Sequence, residues 1–199
     1  MCRDIGDRHG EAYALARLGA VDVELGRPQA GAGYLERGIA LLHEIADQGE
    51  SEMLLAIGHA YRELGRYEHA AGAFEQALAR FREIGNLAQQ AEACNGLGNV
   101  ALQAGHAGKA GAHHATALQL ASEAGSQPEQ ARAHSGLARA YQADGNTPQA
   151  RHHWREAFTR YTAIGTAEAS KMGLLLAAAG GSGDDGEQQT RQDSGTTAR

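Results

Sequence analysis

Histidine is the residue in this chain most able to do chemistry, and there are ten of them. Two adjacent pairs, His113-His114 and His152-His153, stand out. Neighbours on a helix point about 100° apart, so neither pair chelates a single ion well. No Cys, Asp or Glu stands beside them at ligand spacing, and the "HEIAD" of residues 43–47 lacks the second histidine of a zinc-binding helix. We read no metal site and no cofactor here, only solvated or partly buried imidazoles. The two cysteines, Cys2 and Cys94, are far apart, which supports neither a disulfide framework nor a zinc site. Cys94 is read as a buried structural thiol, because no histidine is placed to activate it. No strand precedes any glycine-rich turn, so a phosphate-cradling loop is unsupported. No catalytic residue is assigned, and the chain is read as a non-enzyme.

The remaining chemistry is recognition. Asn95 and Asn99 are four apart and share a helix face, and an amide both donates to and accepts from a peptide backbone. Arg132 and Arg139, seven apart, also share a face. Together with Arg62 they suit a carboxylate or an acidic side chain.

The elements that must position these groups are helices. Aromatics are only 5% of the 199 residues and β-branched residues are scarce, which argues against a sheet. With a net charge of −6 and no basic face, nucleic acid is not expected as a partner. No signal peptide is visible, and the apolar run from Leu174 to Ala179 is too short to span a bilayer. A reducing cytoplasm is the expected compartment. The dominance of Arg over Lys, with abundant Ala and Gly, suggests a GC-rich bacterial genome.

The chain repeats itself. "RLGAVDVELGRPQAGAGYLERGI" (17–39), "AIGHAYRELGRYEHAAGAFEQAL" (56–78), "GLGNVALQAGHAGKAGAHHATAL" (96–118) and "GLARAYQADGNTPQARHHWREAF" (136–158) follow one another at steps of 39, 40 and 40 residues. A small residue recurs in each first helix (Gly19, Gly58, Gly98, Ala138), then a turn glycine (Gly26, Gly65, Gly105, Gly145). The second helix brings a small residue (Gly31, Ala70, Ala110, Ala150), a larger one (Leu35, Phe74, His114, Trp154) and another small one (Gly38, Ala77, Ala117, Ala157). Small side chains let two antiparallel helices approach, and the large one fills the space beside their crossing. Apolar positions run on through Phe74, Leu78, Phe81 and Ile84, and through Trp154, Phe158, Tyr161 and Ile164.

The spacing predicts first helices over 8–25, 50–64, 87–104 and 127–144, and second helices over 28–45, 67–84, 107–124 and 147–164. Pro28 and Pro148 open second helices and Pro128 a first one, where a missing N–H costs little. The third repeat is expected to be the softest, since His114, Ala121 and Ala124 stand where others carry larger apolar residues.

Small–turn–small–large–small over a helix pair resembles the tetratricopeptide repeat (TPR). The second block carries the pattern most fully, with Ile57-Gly58, Tyr61, Gly65, Tyr67, Ala70, Phe74 and Ala77. The 39–40 residue period resembles the C-terminal TPR arrays of bacterial, actinobacterial-type signalling and transcriptional regulators. The resemblance implies an all-α, right-handed solenoid of helix-turn-helix units. Its repeats fall at about 7–46, 47–84, 85–124 and 125–164, followed by a terminal helix at 166–179 and a disordered tail at 180–199. "MCRDIG" (1–6) aligns with the ends of second helices such as "RFREIG" (80–85), and reads as the remnant of a preceding repeat in a longer array.

A TPR solenoid has first helices along its concave wall. That implies a peptide-binding groove lined by Tyr13, His59, Arg62, Asn95, Asn99, Gln103, Arg132 and Arg139. Ala16, Ala20, Val23, Glu24, Glu52, Leu55, Glu63, Glu92, Ser135 and Gln142 stand beside them. By resemblance Asn99 clamps bound main chain, while the lysines of chaperone-binding members are absent. Two functions are expected in turn: a module binding a peptide or protein segment in the groove, or a regulatory fragment that assembles through its uncovered ends. Neither needs a membrane.

Overall fold

The computed structural model describes residues 8–46 and 51–180. Helices follow one another throughout, with no strand among the described residues. They are α1 (Arg8–Glu24), α2 (Pro28–Ala46), α3 (Glu52–Glu63), α4 (Tyr67–Glu83), α5 (Leu87–Gln103), α6 (Ala107–Glu123), α7 (Gln127–Ala143), α8 (Thr147–Ile164) and α9 (Glu168–Gly180). Each packs on its neighbours in sequence, and first helices also touch across repeats, α1 on α3, α3 on α5 and α5 on α7. That succession is an α-solenoid, held by contacts between adjacent units. Helix bounds fall within about two residues of those the periodicity predicts. Gly180, placed at the start of the tail, closes α9 instead. The stretch 1–6, the turns at Gly6-Asp7 and Gln48-Gly49, and the tail from Gly181 onward lie outside the described residues.

The turns explain the regularity. After α3 the chain passes through Gly65 at φ +69°, a left-handed conformation open to glycine at little cost. Its N–H donates to the Arg62 carbonyl and the Arg66 N–H donates to the Tyr61 carbonyl, satisfying two orphaned carbonyls. The same pair of bonds closes α4, α5, α6 and α7. At the other ends, Asn86 and Asn146 accept from the N–H of Gln89 and Gln149, capping α5 and α8.

The large residue of each second helix is held between two first helices. A Cβ built on Gly58 or on Gly96 would stand 2.6 Å from the Phe74 ring. One built on Gly98 would stand 2.6 Å from the His114 ring, and one on Gly136 only 2.3 Å away. Phe74 is therefore clamped between α3 and α5, and His114 in the same way between α5 and α7. Leu78, Phe81, Trp154 and Tyr161 are buried as the pattern requires. Ile84, Phe158 and Ile164 are not. Ile84 is 65% exposed because it is the C-cap of α4, where the chain has already turned away from the core. Phe158 rests its ring edge near Gly173 of α9 and is otherwise open, and Ile164 closes α8 at the surface.

His114 does not leave its slot empty. It is fully buried, and its Nδ1 lies 3.0 Å from Asn95 Oδ1. The Asn95 amide nitrogen donates to Glu129, which leaves the amide oxygen to accept, so Nδ1 carries the ring proton. Nε2 then presents a lone pair with no partner. Burial pushes the imidazole pKa down to about 3, and the charges of Arg139 and His113 add to that.

Candidate functional site

Three first helices and one second helix bring polar groups to one concavity of about 330 Å³. α3 supplies His59 and Arg62, and α5 supplies Glu92, Asn95, Gly96 and Asn99. α7 supplies Glu129, Arg132, Ser135 and Arg139, and α8 adds Tyr161. Six of the eight residues singled out from sequence meet here: His59, Arg62, Asn95, Asn99, Arg132 and Arg139. Tyr13 and Gln103 do not line it. Tyr13 is exposed on α1, and Gln103 is exposed at the last residue of α5, a turn beyond Asn99. Leu55, expected on the groove, is 5% exposed in the core instead. The side chains of Ala16, Ala20, Val23 and Glu24 lie outside the described residues.

Each ionic group in the groove except one already has a counterpart. His59 Nε2 stands 3.5 Å from Glu92 Oε1, and that hydrogen bond holds the Glu92 carboxyl below the usual range. Arg62 pairs with Glu63 at 2.6 Å. Arg132 pairs with Glu129, one turn earlier on α7. Glu129 is itself buried, and burial raises its pKa against the pull of Arg132 and Asn95. Asn95 forms part of the floor with its amide committed. It donates to the Glu129 backbone oxygen at 3.1 Å and to Oε2 at 3.0 Å. With its bond to His114, Asn95 ties α5, α6 and α7 together at the floor of the concavity.

Arg139 is the exception. Its guanidinium donates to Asn99 Oδ1, an uncharged acceptor, and no carboxylate pairs with it among the described residues. Burial and then the positive charge of Arg62 pull its pKa below the ordinary value, although water at its exposed surface damps both effects. Two partly desolvated cations thus face the same space.

Glu129, Gly96 and Tyr161 were not foreseen in the groove. Tyr161 reads from sequence as core because it continues the Trp154 stripe, and it does pack there. Its exposed edge nonetheless reaches the concavity, where burial raises its pKa. Cys94 is a buried thiol, 2% exposed, with its pKa raised by burial. Among the described residues no cluster of three His, Cys, Asp or Glu could hold a metal ion, and no helix is long and apolar enough to cross a membrane. One histidine contact escaped the sequence: His134 Nδ1 lies 2.9 Å from His153 Nδ1, joining α7 to α8.

Comparison with known proteins agrees with the geometry. Two tetratricopeptide repeat family models match the chain, one over residues 89–163 and one over 53–83, together more than half of it. No curated protein matches by sequence. Among solved structures, BtubC (BKLC) from P. vanneervenii superposes with a TM-score of 0.65 at 16% identity, covering 99% of this chain and 93% of that one. A Podosopora anserina protein with nearly identical TPR-like repeats gives 0.55 at 16% identity, covering 86% and 96%. At that identity the likeness concerns fold alone.

Proposed function

Because this chain belongs to the tetratricopeptide repeat family, whose repeats are protein–protein interaction modules, we propose that it holds a peptide or protein segment in its concave groove. Under this reading the module is non-catalytic, and the segment presents a carboxylate to Arg139. The observation that carries it is the unbalanced guanidinium: among the described residues Arg139 meets only the Asn99 amide oxygen, while Arg62 and Arg132 have carboxylates of their own. An incoming carboxylate replaces a neutral acceptor with a charged one. Charge-assisted bonds are roughly twice as strong as neutral ones. Asn99 is then released to meet the segment's main chain with both halves of its amide.

Selection of random peptides on the full chain tests this. Enrichment of Asp, Glu or a free C-terminal carboxylate is expected, together with loss of the selected peptides from the Asn99→Ala, Arg139→Ala protein at unchanged helicity. Peptides that bind this double variant as well as the parent would refute the groove reading.

A further inference from the structure

Charge is distributed unevenly along the concavity. At one end Arg139 reaches Asn99 of α5, and Arg62 repels it from across the groove. At the other end Glu92, seven residues earlier on α5, repels Glu129 in the same way. Arg132 is spent on Glu129. Neither end meets a full opposite charge. Arg139 has the Asn99 amide oxygen, and Glu92 has an imidazole, His59 Nε2 at 3.5 Å, at the outer limit of a hydrogen bond. No Lys or Arg pairs with Glu92 among the described residues. Its carboxylate is half-buried, so water competes less with an incoming cation there than on an open surface.

The two ends lie at a defined distance. Glu92 and Asn99 are two turns apart on one face of α5, which at 1.5 Å per residue is about 10 Å. A main chain in the polyproline II form rises about 3.1 Å per residue with three residues per turn, so side chains i and i+3 face the same way about 9 Å apart. In a β-strand i+3 faces away, and i+2 and i+4 miss the distance by about 3–4 Å.

We propose that the segment held in the groove is bipolar: an Asp or Glu meets Arg139, and a Lys or Arg three residues away meets Glu92. This rests on the groove reading and adds a second anchor to it. The occupant is a separate partner, because residues 1–7, 47–50 and 181–199 carry no acidic residue three positions from a Lys or Arg. The helix axis sets the spacing and leaves the direction of the segment open, so both orders belong in the test.

The probe is a labelled peptide of Ala, Gln and Ser bearing one Asp and one Lys, titrated against the full chain by fluorescence anisotropy. The pair is set one, three or six residues apart in either order, about 3, 9 or 19 Å along a polyproline II path. In one of the two orders, spacing three should bind about threefold or more tighter than the other spacings, and than a peptide with Gln in place of Lys. Glu92→Gln should erase that preference at unchanged helicity while keeping the affinity for the peptide with Asp alone. Glu92→Lys should transfer the preference to a peptide with two Asp three residues apart. Equal binding at all spacings, or a preference that survives Glu92→Gln, overturns the second anchor and leaves the groove reading standing. Failure of every Asp-bearing peptide to bind overturns both. Tighter binding of a peptide of residues 181–199 than of the spaced pair also overturns the proposal, because the occupant is then the chain itself.

Discussion

His114 should make this protein acid-sensitive by an amount that can be worked out. The folded chain holds the imidazole neutral with its pKa near 3, whereas an unfolded histidine titrates at about 6.5. Below pH 6.5 the unfolded state therefore binds more protons, and stability falls as pH falls, until the folded group also titrates near pH 3. Between pH 7.5 and pH 5.0 this single group should remove about 2 kcal/mol, a large share of the ~5–15 kcal/mol that holds a typical domain together. The perturbation that isolates it is His114→Phe, since Phe74 already fills the equivalent slot between Gly58 and Gly96. The variant forfeits the bond to Asn95 and gains apolar burial without an orphaned lone pair, so its stability at pH 7.5 should stay within about 1–2 kcal/mol of the parent. Urea denaturation followed by circular dichroism at both pH values reads the effect. Losses from His134, and the opposing contribution of Glu129 with its raised pKa, occur in both proteins and cancel in the difference. The parent should lose about 2 kcal/mol more than the variant on acidification. Equal losses in the two proteins would show that His114 is solvated or charged in the fold, and the buried neutral imidazole would have to be abandoned.

Other outcomes follow from the same geometry. Gly136→Ala drives a Cβ to within 2.3 Å of the His114 ring, so it should destabilise by roughly 2 kcal/mol or more, whereas Gly72→Ala meets open space in α4 and should stabilise by about 0.5–1 kcal/mol in thermal melts. Hydrogen exchange should be faster over 107–124 than over 67–84, because α6 buries three alanines and a histidine while α4 buries Phe74, Leu78 and Phe81. Asn146→Ala should lower stability by about 1 kcal/mol through loss of the α8 cap, and circular dichroism melts would expose a negligible change.

The helices and turns were legible because they rest on local rules repeated four times: glycine at the turn, small residues at crossings, apolar positions at helical spacing. Ile84 and Ile164 were misplaced because periodicity continues a stripe to the helix end, where the chain leaves the core, whereas Phe158 sits in mid-helix at the edge of the face that α9 covers. The groove was legible as a list of positions on first helices, which found Arg62, Asn99, Arg132 and Arg139. What each group is free to do was not legible. The spacing of Asn95 and Asn99 makes them look alike, yet Asn95 is consumed by Glu129, 34 residues on, and by His114. Tyr161 serves core and groove at once, and a one-dimensional pattern assigns it to only one. The contact between His134 and His153 needs the relative rotation of two helices, which no spacing supplies.

The clamped side chains set where this array can be divided. Phe74 belongs by sequence to one unit, but it is completed by Gly96 of the next, and His114 stands in the same relation to Gly136. The block that folds as a whole is therefore out of phase with the block that repeats. A cut at the Gly85 or Gly125 turn leaves a ring bare on one fragment and the glycine it rested on, Gly96 or Gly136, facing water on the other. Excision that respects the energetic boundary must carry the following first helix along, so the smallest transferable piece is three helices, not two.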